Sequence, residues 1–223
     1  MKLKSALIFL NGELRDPRGA RAAARRADWT ICADGGARHA AALRVRPDFV
    51  VGDMDSMPRR KRPSRHRITF IKPRPKRPSR HRITFIDDPD QSRSDLDKAL
   101  GLARRLGARR VVVAAARGGG LDHELVNFAV LEKAERLDVL VIDGGTARLL
   151  GPGRHRLALK KGARFSLLAA PRARLSLSGA RFALKNERLV RGSRGLGNRA
   201  EGVVVLTVRE GRVWAVDAAP FRG

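Results

Sequence analysis

Short apolar runs alternate with helical patterns through the first 144 residues, and this alternation confines the fold more than any other feature of the chain. Apolar runs at 3–10, 29–33, 49–51, 110–115 and 139–142 are separated by helical periodicity over 18–27, 36–44, 94–106 and 121–135. Runs that are apolar throughout, not on alternate positions alone, belong to strands buried on both faces; with helices between them they form a parallel sheet covered on both sides. The expected fold class is α/β, with a parallel-sheet, Rossmann-like N-terminal domain.

After Gly144-Gly145 the pattern changes. Short alternating segments at 148–150, 154–159, 165–169, 174–177, 203–208 and 213–216, separated by Gly, Pro and Asn, predict an all-β C-terminal domain built as a sandwich or curled sheet. A length of 223 residues allows two small domains, expected as 1–144 and 145–223.

The charge balance is extreme: 48 Lys+Arg against 22 Asp+Glu, a formal net charge of +26. Such a balance raises nucleic acid as a partner. Yet aromatics are 4% of the chain, Tyr is absent, and no zinc-finger or RNA-recognition signature occurs. Arginine is spread over both halves, so nucleic acid is expected to bind nonspecifically if at all. One cysteine, Cys32, excludes an internal disulfide and disfavours structural zinc. No apolar stretch reaches membrane-spanning length and the start reads as a first strand, so a soluble, cytoplasmic protein without membrane association is expected.

From Arg59 to Arg82 there are twelve basic residues and no acid. Within this segment the eleven residues from Lys61 to Ile71 recur identically from Lys76 to Ile86. A twofold repeat this short is a local tandem duplication, not a solenoid unit. The second copy, whose end at 82–86 leads into Asp87-Asp88-Pro89-Asp90, is expected to supply the strand; the first is a basic surface insertion.

Carboxylates are scarce here, and four clusters of them follow apolar runs: Asp34-Gly35-Gly36, Gly52-Asp53-Met54-Asp55, Asp90-Gln91 with Ser94-Asp95, and Gly118-Gly119-Gly120 with Asp122-His123. In parallel sheets ligands bind beyond the carboxyl ends of the strands, where these clusters fall. Asp53 and Asp55, at i and i+2 on a turn, form a candidate clamp for Mg²⁺, a cation usually held by one or two carboxylates plus substrate phosphates. Asp95 either completes the clamp or serves the dipole of a helix capped by Ser94. The glycine pairs suit backbone approach to phosphate. Asp122-His123 reads as a polar anchor for a nucleotide or as a helix-terminal Asp beside a solvent-facing His. Walker A, Gly-x-Gly-x-x-Gly and nucleophile-elbow sequences are absent.

In this order, and followed by a β-rich half, the clusters resemble the thiamin pyrophosphokinase family over nearly the whole chain. The resemblance implies transfer of pyrophosphate from ATP to the thiamin hydroxyl, with Mg²⁺, by a homodimer whose α/β domain binds ATP and whose β domain binds thiamin. It implies Asp53, Asp55 and Asp95 as catalytic metal ligands, and Asp34, Gly35, Gly36, Gln91, Lys98, Gly118, Gly119, Asp122, His123 and Asn127 as ATP-binding residues. Asn198 and Trp214 fall at the thiamin site, where Trp214 either stacks near the ring or covers the β-domain core. Gly120 stands where the family usually has Arg, with Arg117 near enough in sequence to replace it, and Gly197 stands where the family has Ser. A pyrophosphokinase acting on a hydroxymethylpterin and a basic nucleic-acid-binding protein on the same fold are the alternatives.

An exact copy adds no new residue type, so deleting 61–75, which removes six basic residues and no acid, is expected to leave fold and turnover within a few-fold of the parent. Circular dichroism and AMP release measure both. A variant that fails to fold would show that the first copy is a structural strand.

Overall fold

The computed structural model describes residues 3–53 and 83–217. Asp55 and the basic insertion at 59–82 lie outside the described residues. The chain divides after Asp143 into two compact units.

In the first unit, apolar runs become β1 (Ser5–Phe9), β2 (Trp29–Ala33), β3 (Phe49–Gly52), β4 (Thr84–Asp87), β5 (Arg110–Ala114) and β6 (Asp138–Ile142). Their order is β6-β5-β1-β2-β3-β4, and each pairing is parallel. Four helices connect them: α1 (Pro17–Arg26), α2 (Ala37–Ala42), α3 (Asp95–Arg105) and α4 (Leu121–Glu132). Small residues Ala20 and Ala23 of α1 and Ala40 of α2 pack on Leu7, Phe9, Cys32 and Val50, on one face of the sheet. Alternate strand residues such as Ile8, Ile31 and Val113 are equally buried on the other face, where α3 meets β2 and β3 and touches α4. Coverage on both faces explains why the strands are apolar throughout.

The helix starts are chemically specified. The Asp16 carboxylate accepts a hydrogen bond from the Gly19 N–H (2.8 Å), with Pro17 at the first helical position of α1. Ser94 Oγ accepts from the Asp97 N–H (3.3 Å), and Asp95 and Asp97 lie in the first turn of α3. α4 starts at Gly120 with no side-chain cap. The helical pattern over 36–44 resolves into a 3-10 turn at Asp34–Gly36 and the short α2.

The second unit contains strands only: β7 (Thr146–Leu150), β8 (Gly153–Leu157), β9 (Arg164–Ala180), β10 (Leu184–Val190) and β11 (Asn198–Asp217). Segments read separately at 165–169 and 174–177 form one 17-residue strand, and those at 203–208 and 213–216 belong to one of 20. β9 and β11 pair from Val205–Ser178 to Asp217–Phe165, one index rising as the other falls. Leu167, Leu175, Leu177, Leu189, Val204 and Leu206 fill the core between them. Strand β10 escaped the sequence reading because its residues are mostly polar and only Leu189 is buried. No helix among the described residues is long and apolar enough to cross a membrane.

Ser94 supplies the only side-chain cap on α3. Replacing it with Ala is expected to lower the unfolding free energy by about 1 kcal/mol, read from urea denaturation at pH 7. An unchanged midpoint would show that the cap adds nothing to stability.

Candidate active site

Strand order places the site. From β1 the chain runs outward through β2, β3 and β4, then crosses back to add β5 and β6 on the other side. The loops after β1 and β5 therefore diverge at a topological switch point, and the crevice at the carboxyl ends of such strands is where ligands bind in open α/β sheets.

These two loops are joined by backbone hydrogen bonds: Leu10 N–H to Ala114 O (3.0 Å), Gly12 N–H to Ala115 O (3.0 Å) and Glu13 N–H to Arg117 O (2.6 Å). Gly12 is obligatory there, since a β-carbon would collide with the carbonyls of Arg117 and Ala115. Ala115 and Gly118 have φ of 58° and 89°, which turn the chain away from β5 into Gly119, Gly120 and the uncapped start of α4. There the N–H groups of Leu121 and Asp122 have no partner among the described residues, and a helix start beside a glycine loop is a receptive place for phosphate.

The expected residues gather in three places. Asp34, Gly35 and Gly36 follow β2, and Asp53 follows β3; a β-carbon on Gly52 would press on Asp34. Gln91 Nε2 donates to Asp53 Oδ2 (3.1 Å), and Lys98 Nζ lies 3.6 Å from Asp95 Oδ1. Lys98 is 3% exposed, a buried ammonium among carboxylates. Burial raises the Asp95 pKa; Lys98 pulls it back, and the charges of Asp34 and Asp53 push it up. Asp34, Asp53, Asp95 and Lys98 thus form one electrostatic group. Among the described residues no three acidic, His or Cys side chains converge as a metal cage.

The second place is the α4 start. Gly118 N–H donates to Glu124 Oε1 (2.7 Å), and Asn127 Nδ2 donates to Ala116 O (2.9 Å), so Asn127 ties α4 to the glycine loop. Asp122 accepts from the His123 N–H (2.8 Å), and both side chains are exposed. Arg117 lies 3.0 Å from Asp143 and 3.5 Å from Glu124. The third place is in the second unit. There the Asn198 side chain accepts from the N–H groups of Phe182 and Arg199 and donates to Phe182 O, while Trp214 is 4% exposed opposite Leu149.

Sequence reading missed the Asn11-Gly12 loop and Asp143. The loop links the first two places: Gly35 lies against the Asn11 side chain, and Arg38 donates to the carbonyls of Asn11 (2.7 Å) and Gly12 (3.1 Å). Its signal was the Asn-Gly pair directly after the first apolar run. Asp90, by contrast, is spent on its own loop: Ser92 and Arg93 donate to it and hold its pKa down at about 2.

Residues 20–142 match the family profile described as thiamin pyrophosphokinase, catalytic domain, over more than half of the chain. The chain belongs to the thiamin pyrophosphokinase family. The fold is similar to the crystal structure of thiamine pyrophosphokinase from Bacillus subtilis, with a TM-score of 0.75 at 18% identity over 97% of this chain and 99% of that one. Similar values hold for the enzyme from Geobacillus thermodenitrificans (0.73, 18%, 98% and 99%) and, more distantly, the yeast enzyme (0.68, 14%, 97% and 87%). A search of curated proteins finds no match.

His39 Nε2 meets the Gly12 carbonyl at 2.8 Å. Burial holds the His39 pKa below its ordinary 6.5, with Arg38 adding to the effect and the carbonyl opposing it. The folded state thus favours the neutral ring, and this contribution is present above 6.5 and lost as pH falls below it. Urea midpoints at pH 7.5 and 5.5 should fall less steeply for His39→Gln than for the parent; parallel falls would show that His39 is not part of the acid sensitivity.

Proposed function

We propose that this chain transfers the pyrophosphoryl group of ATP to the hydroxyl of thiamin at the carboxyl edge of its parallel sheet, with Mg²⁺. Family membership makes the chain a thiamin diphosphokinase, a transferase of thiamin diphosphate biosynthesis that takes ATP as co-substrate. The observation that carries the site assignment is Asp95, which pairs with the buried Lys98 and feels the charges of Asp34 and Asp53.

That group suits a hard divalent cation. Its donors are carboxylate oxygens, and the charges of Asp34 and Asp53 raise the proton affinity of Asp95, a repulsion that a divalent charge relieves. Asp53 and Asp95, with Asp55, would hold Mg²⁺, and substrate phosphate oxygens complete the set. When bound, the ion neutralises charge on the transferring phosphates.

The chain's own groups do the remaining work. Gln91 orients the Asp53 carboxylate, and Lys98 fixes Asp95 while offsetting the negative charge around it. The glycine loop 118–120 and the open N–H groups of α4 receive phosphate oxygens, and Arg117, braced by Asp143 and Glu124, supplies a cation beside them. In this way Arg117 takes over the charge lost at Gly120. Positioning and electrostatics of this kind account for most of a phosphoryl-type transfer.

In the same reading the chain acts in the cytoplasm as a homodimer, with ATP on the Rossmann-like domain 1–144 and thiamin on the all-β domain 145–223. Leu121, Leu125 and Val126, 75%, 65% and 48% exposed along α4, support a subunit contact. Trp214 backs the thiamin pocket, and Asn198 shapes it by pinning Phe182.

Purified protein with ATP, Mg²⁺ and thiamin is expected to release AMP, and Asp53→Asn and Asp95→Asn should each lower that rate by at least about 100-fold with little change in thermal midpoint. Near-parental rates in both variants would remove the carboxylate site. AMP release dependent on hydroxymethylpterin and not on thiamin would overturn the substrate assignment.

A further inference from the structure

The amino-terminal edge of the parallel sheet, opposite the carboxylate site, carries two concavities walled by arginine and lysine. One, of about 520 Å³, lies where α3 and α4 lead into β5 and β6 and is lined by Arg104, Arg109, Lys133 and Arg136 with Glu135. The other, of about 630 Å³, lies where α1 ends and the chain enters β3; it is lined by Arg21, Arg25, Arg44 and Arg46 and, among the described residues, by no acid. Lys4, at the entry to β1, stands between them in strand order and beside Gly107.

Helix dipoles explain Arg25, Arg104 and Lys133, which sit at helix ends. They do not explain Arg46, Arg109 and Arg136, which lie at strand entries. Arg44 and Arg136 are held at the concavities by left-handed turns, with φ of 53° and 59°. The side chains of Lys4, Arg104, Arg109, Lys133 and Arg136 make no hydrogen bond or ion pair among the described residues. Two carboxylates on this edge are committed elsewhere, Asp28 to Ser5 and Asp138 to Arg110.

We propose that this edge is a docking surface for the phosphate backbone of duplex nucleic acid, contacted without reading bases. The two concavities are centred three strands apart, roughly 14 Å at about 4.8 Å per strand, which is the axial rise of roughly four nucleotides at about 3.4 Å each. A row of cations at that spacing meets several successive phosphates, more than a compact anion offers. Among the described residues no aromatic side chain lines either concavity, so this edge offers no stacking platform of the kind used for single strands. Attraction of this type depends on counterion release and is independent of sequence. It is also independent of the enzymatic reading, since none of these residues belongs to the carboxylate site.

The test is fluorescence anisotropy of the full chain with a labelled mixed-sequence DNA duplex of about 24 base pairs, between 50 and 200 mM salt. The combined variant Arg104→Gln, Arg109→Gln, Lys133→Gln, Arg136→Gln is expected to bind at least tenfold more weakly, with a salt slope shallower by about 0.9 per lost phosphate contact. A matched variant in the second unit, Arg172→Gln, Lys185→Gln, Arg188→Gln, Arg209→Gln, should lose less than about threefold. Equal losses in both would mean diffuse attraction to a basic protein and overturn the proposal. Should the combined variant not fold, arginine-modification footprinting of the parent serves: the duplex should protect Arg104, Arg109 and Arg136. Protection by millimolar inorganic phosphate without protection by the duplex would overturn it in favour of a compact anion.

Discussion

The join between the loops after β1 and β5 is the constraint on which the candidate site rests. Three backbone hydrogen bonds close it, and they require a glycine at position 12 and left-handed geometry at Ala115 and Gly118. Ala in that region costs of order 1 kcal/mol, which the surrounding bonds must offset. With the join in place, the glycine loop leads into α4 at a set angle, Arg117 reaches Asp143, and Asn11 lies against Gly35. The carboxylate group and the glycine loop are thereby parts of one crevice, although more than eighty residues separate Asn11 from Gly118 in sequence apart from the insertion.

Parallel topology also sorts charge. Strands that run the same way, linked by helical crossovers, send every helix start to one edge of the sheet and every helix end to the other. Peptide dipoles therefore favour acids at the first edge and cations at the second. In a chain with 22 acids among 48 bases this sorting leaves a compact acidic crevice on an otherwise basic molecule. The buried Lys98 is the exception, and it lies beside Asp95, whose carboxylate also feels the charges of Asp34 and Asp53.

What sequence made legible follows from what local pattern encodes. Doubly covered strands are apolar at every position, so β1, β2, β3, β5 and β6 were visible, and Ser94 with two following acids marked the start of α3. Pattern does not say which loops adjoin. Gly12 is an ordinary turn glycine until strand order places it against Arg117, and Asp143 is a strand-end acid until Arg15 and Arg117 turn toward it. In the second unit, β9 read as two pieces because Pro171 and Arg172 interrupt its apolar alternation, and the polar edge strand β10 had no apolar alternation to find. Asn198 was visible as a residue but not as a clamp on Phe182, since that bond spans 16 residues and a change of strand.

Among the described residues strand β4 is the outermost of the parallel sheet and pairs with β3 alone; the first copy of the duplicated sequence falls between those two, and the second runs into β4. A change in copy number there leaves the register of the other five strands untouched. Adding fifteen residues to a connection that otherwise spans about sixteen roughly doubles its length in sequence, and loop-closure entropy rises only by about 0.6 kcal/mol per doubling of length. The same duplication between β1 and β2, or before β5, would fall in a crossover that carries a helix packed on the sheet and leads to or from the crevice, so the edge strand is the place where added sequence disturbs the sheet least.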